Sequence, residues 1–318
     1  MMHRVLLLIN PLIGQRANRK RDLLRVQDAF RNAGVHVVTR ETPDEHGAGA
    51  LVQAIGAEFD AVIVCGGDGT IFDAVQGAVG TSIPIGIVPF GTGNILAQNL
   101  GIPLDAVKAV QALLRSRQRC VPLGRITCGF EGEEPRSWYF LFAAGLGMHA
   151  SLLGASTAWG KHTIGPAAYY VAGIDLLLRG RIAPFEMETT DEHGRVEVRA
   201  CCEAIGVRVG ALNRWRPGGG LDRGSIRIFA VPGASRAALA RASFHAMVLR
   251  STESAGSPAG MRGNAAVISG DFVRAVFRPL PGYRYASPIE VQADGEVLGT
   301  SSATLEITDQ RVALLTPE

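Results

Sequence analysis

The sequence predicts an α/β + all-β protein, in which an N-terminal doubly wound α/β domain is followed by a C-terminal β-sandwich-like domain. Over the first third of the chain, strand-like and helix-like segments alternate, which is typical of a parallel sheet covered by helices. From Cys120 onward, short β-like runs separated by turn residues indicate an antiparallel sandwich or barrel. We therefore expect residues 1–120 and 121–318 to form the two domains, and the last residues are candidates for returning to the first.

The composition is that of a globular protein with ample core. Its 318 residues are too many for one ordinary core, and 47% of them are hydrophobic and 19% charged. The net charge of +3 is small and its basic residues are spread along the chain, so we expect no nucleic-acid partner. No run approaches the roughly 18 apolar residues of a membrane span. Five cysteines without metal-ligand spacing indicate reduced thiols, and the N-terminal apolar run is too short for a signal peptide, so we expect a cytoplasmic protein.

In the first domain, the elements follow from local patterns in chain order. Apolar β-branched runs predict strands at residues 4–9, 35–38, 62–65 and 84–88. Amphipathic segments predict helices at residues 20–33, 46–58, 71–79 and 105–115. A further short helix is expected to end at Asn99, because Gly101 and Pro103 are stop signals.

In the second domain, most elements are expected to be strands. They are predicted at residues 121–128, 137–143, 185–190, 196–209, 225–231, 272–277, 289–293 and 304–307. Two helical insertions are predicted at residues 166–178 and 236–249, and residues 251–263 have the composition of a loop.

A glycine turn follows the third predicted strand, with the sequence Gly66-Gly67-Asp68-Gly69-Thr70. The apolar run before it predicts a buried parallel strand, and the glycines let backbone N–H groups approach an anion. Asp68 is the only ionisable group in the turn, and it fits a cation, a sugar hydroxyl or a transferable proton as its partner. The alternative is a tight turn in which Asp68 caps the helix predicted from Ile71.

Two more loops follow predicted strands, at the edge where open parallel sheets bind ligands. The first is Asn10-Pro11-Leu12-Ile13-Gly14, followed by four basic residues, Arg16, Arg19, Lys20 and Arg21. The other is Gly91-Thr92-Gly93-Asn94, directly before a predicted helix N-terminus, where the helix dipole favours anions. Neither the Walker pattern nor the dinucleotide-binding glycine pattern occurs, so we expect a different mode of nucleotide binding.

Taken together, these motifs resemble those of the diacylglycerol kinase catalytic-domain family. That family includes bacterial soluble lipid kinases and sphingosine kinases, and is related in fold to NAD kinases and phosphofructokinases. Its motifs occur here in order: Asn-Pro-x-x-Gly at 10–14, Gly-Gly-Asp-Gly-Thr at 66–70, Pro-x-Gly-Thr-x-Asn at 89–94, Gly-Pro-x-x-Tyr-Tyr at 165–170 and Asp-Gly-Glu at 294–296. The resemblance spans nearly the whole chain and is specific for the family, but not for the substrate.

The resemblance implies an ATP-dependent lipid kinase, with ATP and Mg²⁺ bound between the two domains and a diacylglycerol-like lipid as the leading substrate. It implies that Asp68 holds or orients Mg-ATP and that Glu296 is the general base, with proton removal by Asp68 as the alternative. Asp294 has a supporting role, and Asp222 is a weaker metal candidate. The implied nucleotide-binding residues are Asn10, Pro11, Gly14, Thr42, Gly66, Gly67, Asp68, Gly69, Thr70, Gly91, Thr92 and Asn94.

Two backbone geometries are open for Asp294-Gly295-Glu296. In an extended segment, the two carboxylates would point to the same face and Gly295 would leave room for a ligand. The alternative is a hairpin turn, because Asp-Gly is a strong type I′ signal. With the family resemblance, we expect the extended arrangement.

The chain departs from the family pattern at three places. Phe72-Asp73 stands where the family usually has Asn-Glu, and His149 stands where it has Asp. Arg223 replaces the second Asp of a Leu-Asp-Asp-Gly motif that binds a structural Mg²⁺ in some members. A cation opposite Mg²⁺ is unfavourable, which puts that second metal site in doubt.

The expected partner is a lipid substrate at the membrane surface, so we expect peripheral membrane association without a transmembrane segment. Candidate lipid-pocket residues are 138–146, 152–153 and Trp159, and Trp215 is a candidate for the membrane interface. The sequence leaves the oligomeric state open, and a homodimer is one alternative. The alternative functions are a sphingoid-base or other glycerolipid kinase, an NAD-kinase-type enzyme, and a non-catalytic nucleotide- or lipid-binding protein.

Overall fold

The computed structural model describes residues 2–11, 17–43, 47–147, 183–207, 224–233, 262–263, 267–283 and 288–317. The chain forms two compact units, of which the first comprises Met1–Leu123 and Asp309–Glu318 and the second Gly124–Thr308. Several predicted features lie outside the described residues: the helices at 166–178 and 236–249, most of the loop at 251–263, and Gly14, His149, Trp159, Trp215, Asp222 and Arg223.

The first unit contains a parallel sheet. Its strands are β1 (Arg4–Ile9), β2 (His36–Glu41), β3 (Ala61–Gly66), β4 (Pro84–Pro89) and the end of β15 (Glu296–Thr316). Their order is β15-β4-β3-β1-β2. All six residues of β3 are buried, which agrees with its continuous apolar sequence and its position between β1 and β4.

Among the described residues of this unit, five α-helices accompany these strands: α1 (Ala17–Asn32), α2 (Ala48–Ile55), α3 (Asp68–Ala78), α4 (Ile95–Asn99) and α5 (Ala106–Leu114). Helix α1 packs on α5, and α2 packs on α3. The chain moves from β1 to β2 in one direction across the sheet and from β2 to β3 and β4 in the other. Right-handed crossovers therefore place α1 and α2 on opposite faces. The predicted α/β character of the N-terminal domain is confirmed.

The described part of the second unit consists mainly of strands. They are β5 (Arg117–Gly129), which begins in the first unit, β6 (Arg136–Phe140), β7 (Ala143–Gly147), β8 (Phe185–Thr190), β9 (Val196–Val207), β10 (Ile226–Pro232), β11 (Arg262–Gly263), β12 (Ile268–Phe272), β13 (Arg274–Pro279), β14 (Glu290–Ala293) and the first part of β15. The pairings β9-β7-β14-β15-β13-β8-β9 close into a ring. A β-rich C-terminal domain is confirmed, and its strand pairing is barrel-like rather than sandwich-like.

Some elements differ from their predicted bounds. Helix α3 begins at Asp68, three residues before its predicted start. The predicted strand at 137–143 is divided into β6 and β7, because the N–H groups of Leu141 and Phe142 bond to a distant side chain instead of a neighbouring strand. The predicted strand at 272–277 is likewise divided at Val273 into β12 and β13, and the one at 304–307 is part of the 21-residue β15.

The five cysteines of the chain are free thiols. Cys65, Cys128, Cys201 and Cys202 are buried free thiols, and Cys120 is an exposed one. Burial raises the pKa of the Cys128, Cys201 and Cys202 thiols to about 12. Within the described part of the chain, no helix has the length and apolar character needed to cross a membrane.

Candidate active site

The predicted loops of the first unit lie together at one edge of the parallel sheet. The residues that follow β1, β2, β3 and β4 are Asn10, Thr42, Gly67 and Phe90. Backbone hydrogen bonds join these strand ends, since the N–H of Phe90 donates to the Gly66 carbonyl at 2.9 Å and the N–H of Thr42 to the Ile9 carbonyl at 2.9 Å. The carboxyl edge of an open parallel sheet is where such folds bind ligands.

Asn10 connects the first loop to the glycine turn. Its Nδ2 donates a hydrogen bond to Oγ1 of Thr70 at 3.1 Å, although the two residues are 60 positions apart in the sequence. Thr70 is buried in the first turn of α3. The contact therefore fixes Asn10, and the half-buried Pro11 that follows it, against the start of α3.

The glycine turn and the third loop touch through their backbones. A Cβ atom on Gly91 would lie 2.6 Å from the Cα of Gly67, and one on Gly67 would lie 3.2 Å from the Cα of Gly91. At these distances only glycine allows the backbones of the two loops to approach this closely. Both positions were predicted as nucleotide-binding, and they meet at the end of β3 and β4.

Asn94 closes the third loop on itself. Its φ of 47° lies in the left-handed region, which asparagine tolerates better than most residues. Its Oδ1 accepts from the Gly91 N–H at 2.8 Å, and its Nδ2 donates to the Gly91 carbonyl at 2.9 Å. Thr92, between them, is exposed, and Gln98 donates to the Gly93 carbonyl at 2.7 Å.

Asp68 caps a helix, but not the one that follows it. Helix α3 starts at Asp68 itself, with Gly67 as the N-cap residue. The Asp68 carboxylate instead accepts the N–H groups of Ile95 and Leu96, each at 3.1 Å, at the start of α4. The alternative in which Asp68 caps its own following helix is therefore wrong. Burial raises the pKa of the Asp68 carboxyl, while these N–H groups act in the opposite direction.

This arrangement changes which helix end is open to an anion. We expected the third loop to present the N-terminus of α4 to a phosphate, but the anion at that end is the Asp68 carboxylate. A Cβ atom on Gly93 would lie 3.2 Å from Asp68 Oδ2, so the loop packs closely over it. At α3, the N-cap residue is Gly67, which has no side chain to accept the first-turn N–H groups. Such N–H groups suit a phosphate.

Asp73 and Arg19 have contacts that the sequence patterns did not predict. The Asp73 carboxylate accepts the N–H groups of Ala48 at 2.7 Å and Gly49 at 3.1 Å, and so caps α2. The Arg19 guanidinium donates to the carbonyl of Phe90 and thereby joins α1 to the third loop. No local motif signals either contact, because the partners are 24 to 71 positions away in sequence.

In the second unit, Asp294-Gly295-Glu296 forms a hairpin turn, so the expected extended arrangement is wrong. Asp294 and Gly295 both have positive φ, 47° and 96°, as a type I′ turn requires. Ala293 of β14 pairs with Glu296, the first residue of β15. The two carboxylates therefore do not lie on one face of a continuous strand.

The two carboxylates of this turn have different surroundings. The Asp294 carboxylate accepts the N–H groups of Leu141 at 2.7 Å, Phe142 at 2.8 Å and Ala143 at 2.9 Å. Glu296 is half-buried at the start of β15. The structure thus brings Asp294 to the corner between β6 and β7, within the stretch predicted to line the lipid pocket.

Comparison with known proteins agrees with the motifs. A model of the diacylglycerol kinase catalytic domain matches residues 4–126. The diacylglycerol kinase of Bacillus subtilis (strain 168) is 28% identical over 244 residues, which cover 76% of this chain and 77% of that protein. The diacylglycerol kinase of Mycobacterium tuberculosis (strain CDC 1551 / Oshkosh) is 34% identical over 186 residues, which cover 58% of each protein.

A solved structure has the same fold over nearly the full length. The crystal structure of a diacylglycerol kinase from Bacillus anthracis str. Sterne superposes with a TM-score of 0.68 at 18% identity, covering 99% of this chain and 97% of that one. At this identity the likeness supports the fold alone, an N-terminal α/β domain and a C-terminal β domain. Residues 4–126, which the domain model matches, are similar to the catalytic domain of diacylglycerol kinases.

Proposed function

We propose that the chain is an ATP-dependent lipid kinase that transfers the γ-phosphoryl group of ATP to the hydroxyl of a diacylglycerol-like lipid. The observation that carries the proposal is the meeting of the strand-end loops beside the first turn of α3, with Asp68 between that turn and α4. The relatives named above support the substrate class. The proposal assigns ATP to residues 1–120 and the lipid to residues 121–318. The end of β15 belongs to the first unit.

The nucleotide is assigned to the strand-end loops. The N–H groups of the first turn of α3 bind phosphate oxygens, because the positive end of the helix dipole favours negative charge. Asn10, Thr42, Thr70 and Thr92 supply side-chain contacts to the nucleotide. Asn94 shapes the third loop through Gly91, since its amide already bonds the N–H and the carbonyl of that residue.

Asp68 is assigned the Mg²⁺ ion that accompanies ATP. Its carboxylate accepts the N–H groups of Ile95 and Leu96, each at 3.1 Å, and so lies between the glycine turn and the start of α4. A carboxylate combined with substrate phosphates is the usual Mg²⁺ environment in kinases, so the residue fits the ion. When bound, the ion neutralises charge on the transferred phosphoryl group.

Glu296 is assigned as the general base. The lipid hydroxyl oxygen forms a bond to the γ-phosphorus while the bond from that phosphorus to the bridging oxygen of ADP breaks. The hydroxyl proton passes to the Glu296 carboxylate, which balances the step. A diacylglycerol resides in a bilayer, so the enzyme acts as a peripheral protein at the membrane surface.

One assay separates the candidate functions. The purified protein is incubated with labelled ATP, Mg²⁺ and separate samples of diacylglycerol, sphingosine, phosphatidylglycerol and NAD. We expect label in diacylglycerol. Label in sphingosine or phosphatidylglycerol instead would identify a different lipid kinase, and label in NAD alone would refute the lipid assignment. ATP binding without any labelled product would indicate a non-catalytic nucleotide-binding protein.

Replacing Gly91 with alanine is expected to weaken ATP binding by roughly 10- to 100-fold. The new Cβ would lie 2.6 Å from the Cα of Gly67 and 2.7 Å from Asn94 Oδ1, so the two loops must separate. Isothermal titration calorimetry measures the affinity. Gly34→Asn is the matched control, because Gly34 has a φ of +78°, which asparagine tolerates, and no atom within 4 Å of its added Cβ. Wild-type ATP affinity in Gly91→Ala would refute the loop assignment.

A further inference from the structure

Asp294 makes a set of contacts that the phosphoryl transfer itself does not use. Its two carboxylate oxygens accept three consecutive backbone N–H groups, from Leu141, Phe142 and Ala143, at 2.7 to 2.9 Å. Its own N–H donates to the carbonyl of Ala143 at 2.8 Å. Leu141 and Phe142 form the corner between β6 and β7 and are buried. Buried N–H groups need an acceptor, and here the acceptor is a side chain more than 150 positions away.

The same residue sets the backbone of the turn that carries Glu296. Asp294 and Gly295 are the two central residues of a two-residue hairpin, and Ala293 pairs with Glu296 across it. On the other side of β14, Ala293 also pairs with Ala144 of β7. The position of the Glu296 Cα atom is therefore fixed by the turn, and the turn is held by the carboxylate bonds to the β6–β7 corner.

We infer that Asp294 is a positioning residue, which clamps the turn carrying Glu296 to the β6–β7 corner through its carboxylate. The inference rests on the proposed function, because it takes Glu296 as the base. Asp294 touches neither substrate in this role and acts through Glu296 and the corner. Loss of the clamp shifts the base relative to the lipid hydroxyl, and it leaves the nucleotide contacts of the first unit intact.

This role predicts that weakening the clamp affects catalysis on the lipid but not the binding of ATP. The β6–β7 corner lies in residues 138–146, which the sequence marks as candidates for the lipid pocket. Weakening the clamp is therefore expected to lower kcat and kcat/KM for the lipid, while the dissociation constant for ATP stays at its wild-type value. A purely structural role would lower the melting temperature without this difference between the lipid kinetics and the ATP affinity.

Asp191 provides a matched control within the same unit. Its carboxylate accepts the N–H groups of His193 and Arg195, both at 2.9 Å, in the turn between β8 and β9. Asp191 is buried, with 8% of its surface exposed. Its turn carries no residue to which we assign a catalytic role, so Asp191→Asn makes the same chemical change without moving Glu296.

The test compares Asp294→Asn, Asp294→Gly and Asp191→Asn with the wild type. Both replacements at position 294 tolerate its positive φ, so the backbone of the turn is not strained. Asparagine keeps one acceptor oxygen and glycine keeps none, so we expect the larger effect in Asp294→Gly. The measurements are kcat, KM for diacylglycerol in mixed micelles, ATP affinity by calorimetry, the melting temperature, and hydrogen exchange at the amides of residues 141–143.

We expect kcat/KM for the lipid to fall roughly 10- to 100-fold in Asp294→Asn and further in Asp294→Gly, with ATP affinity unchanged and faster exchange at residues 141–143. Asp191→Asn should keep wild-type kinetics. Wild-type kcat/KM in Asp294→Gly, or an equal kinetic loss in Asp191→Asn, would overturn the inference while the kinase assignment stands. A wild-type protein that phosphorylates no lipid, or an active Glu296→Gln variant, would overturn the proposed mechanism and the inference with it.

Discussion

Replacing Glu296 with glutamine is expected to lower kcat for lipid phosphorylation by about 100- to 10,000-fold, the usual contribution of a positioned general base. Glutamine keeps the size of the side chain and cannot take the hydroxyl proton. ATP affinity, measured by calorimetry, should stay at the wild-type value, since the nucleotide is assigned to the loops of the other unit. The rate is measured as label transferred from ATP to diacylglycerol at saturating concentrations of both.

The control for this variant is Glu131→Gln, which makes the same chemical change at an exposed residue. It is expected to have wild-type kinetics. Equal lipid labelling by Glu296→Gln and the wild type would exclude Glu296 as the base and would favour Asp68 in that role. Loss of ATP binding together with activity would instead mean that the substitution disturbs the fold.

Replacing Asp68 with asparagine is expected to lower kcat/KM for ATP by about 100- to 1,000-fold, which is typical for loss of a charged group that stabilises the transition state. The variant loses the negative charge assigned to the cation. It also places an NH₂ group opposite one of the two backbone N–H donors, Ile95 or Leu96, that the carboxylate accepts. Calorimetry with and without Mg²⁺ separates these effects, because only loss of the cation contact removes the gain in ATP affinity that Mg²⁺ produces.

Asp105 supplies the matched control for helix capping. It is the N-cap residue of α5, and its carboxylate accepts the Lys108 N–H at 2.9 Å. Asp105→Asn should therefore change stability slightly and leave the kinetics unaltered. An Asp68→Asn variant whose ATP affinity still rises with Mg²⁺ as in the wild type would show that Asp68 acts on the third loop alone.

The parts of the fold that the sequence predicted are those with local signals. The buried strand β3 was evident from its continuous apolar residues, and the glycine turn after it from the clustering of Gly66, Gly67 and Gly69. The grouping of the loops at one edge followed from the parallel order of the strands. The form of the second domain was less evident, because pairing between distant short strands decides between a sandwich and a barrel.

The geometry of the site residues depended on contacts that no local pattern encodes. Asp68 caps a helix 27 positions further along, so its local position before α3 gave the wrong partner. At Asp294 the local signal was right and the expectation of an extended segment was wrong, since Asp-Gly adopts the hairpin conformation that it favours. The division between β6 and β7 has no glycine or proline signal, because the acceptor for its N–H groups comes from the far end of the chain.

The strand β15 also has a consequence for how the protein is made. Residues 309–318 belong to the first unit, and Ala313 and Leu314 pair with β4. A chain that ends at residue 123 therefore forms the parallel sheet without this strand, with the apolar β4 at its edge. Exposed edges of this kind template aggregation. Expression of that fragment alone should yield insoluble protein, because it lacks the strand that pairs with β4.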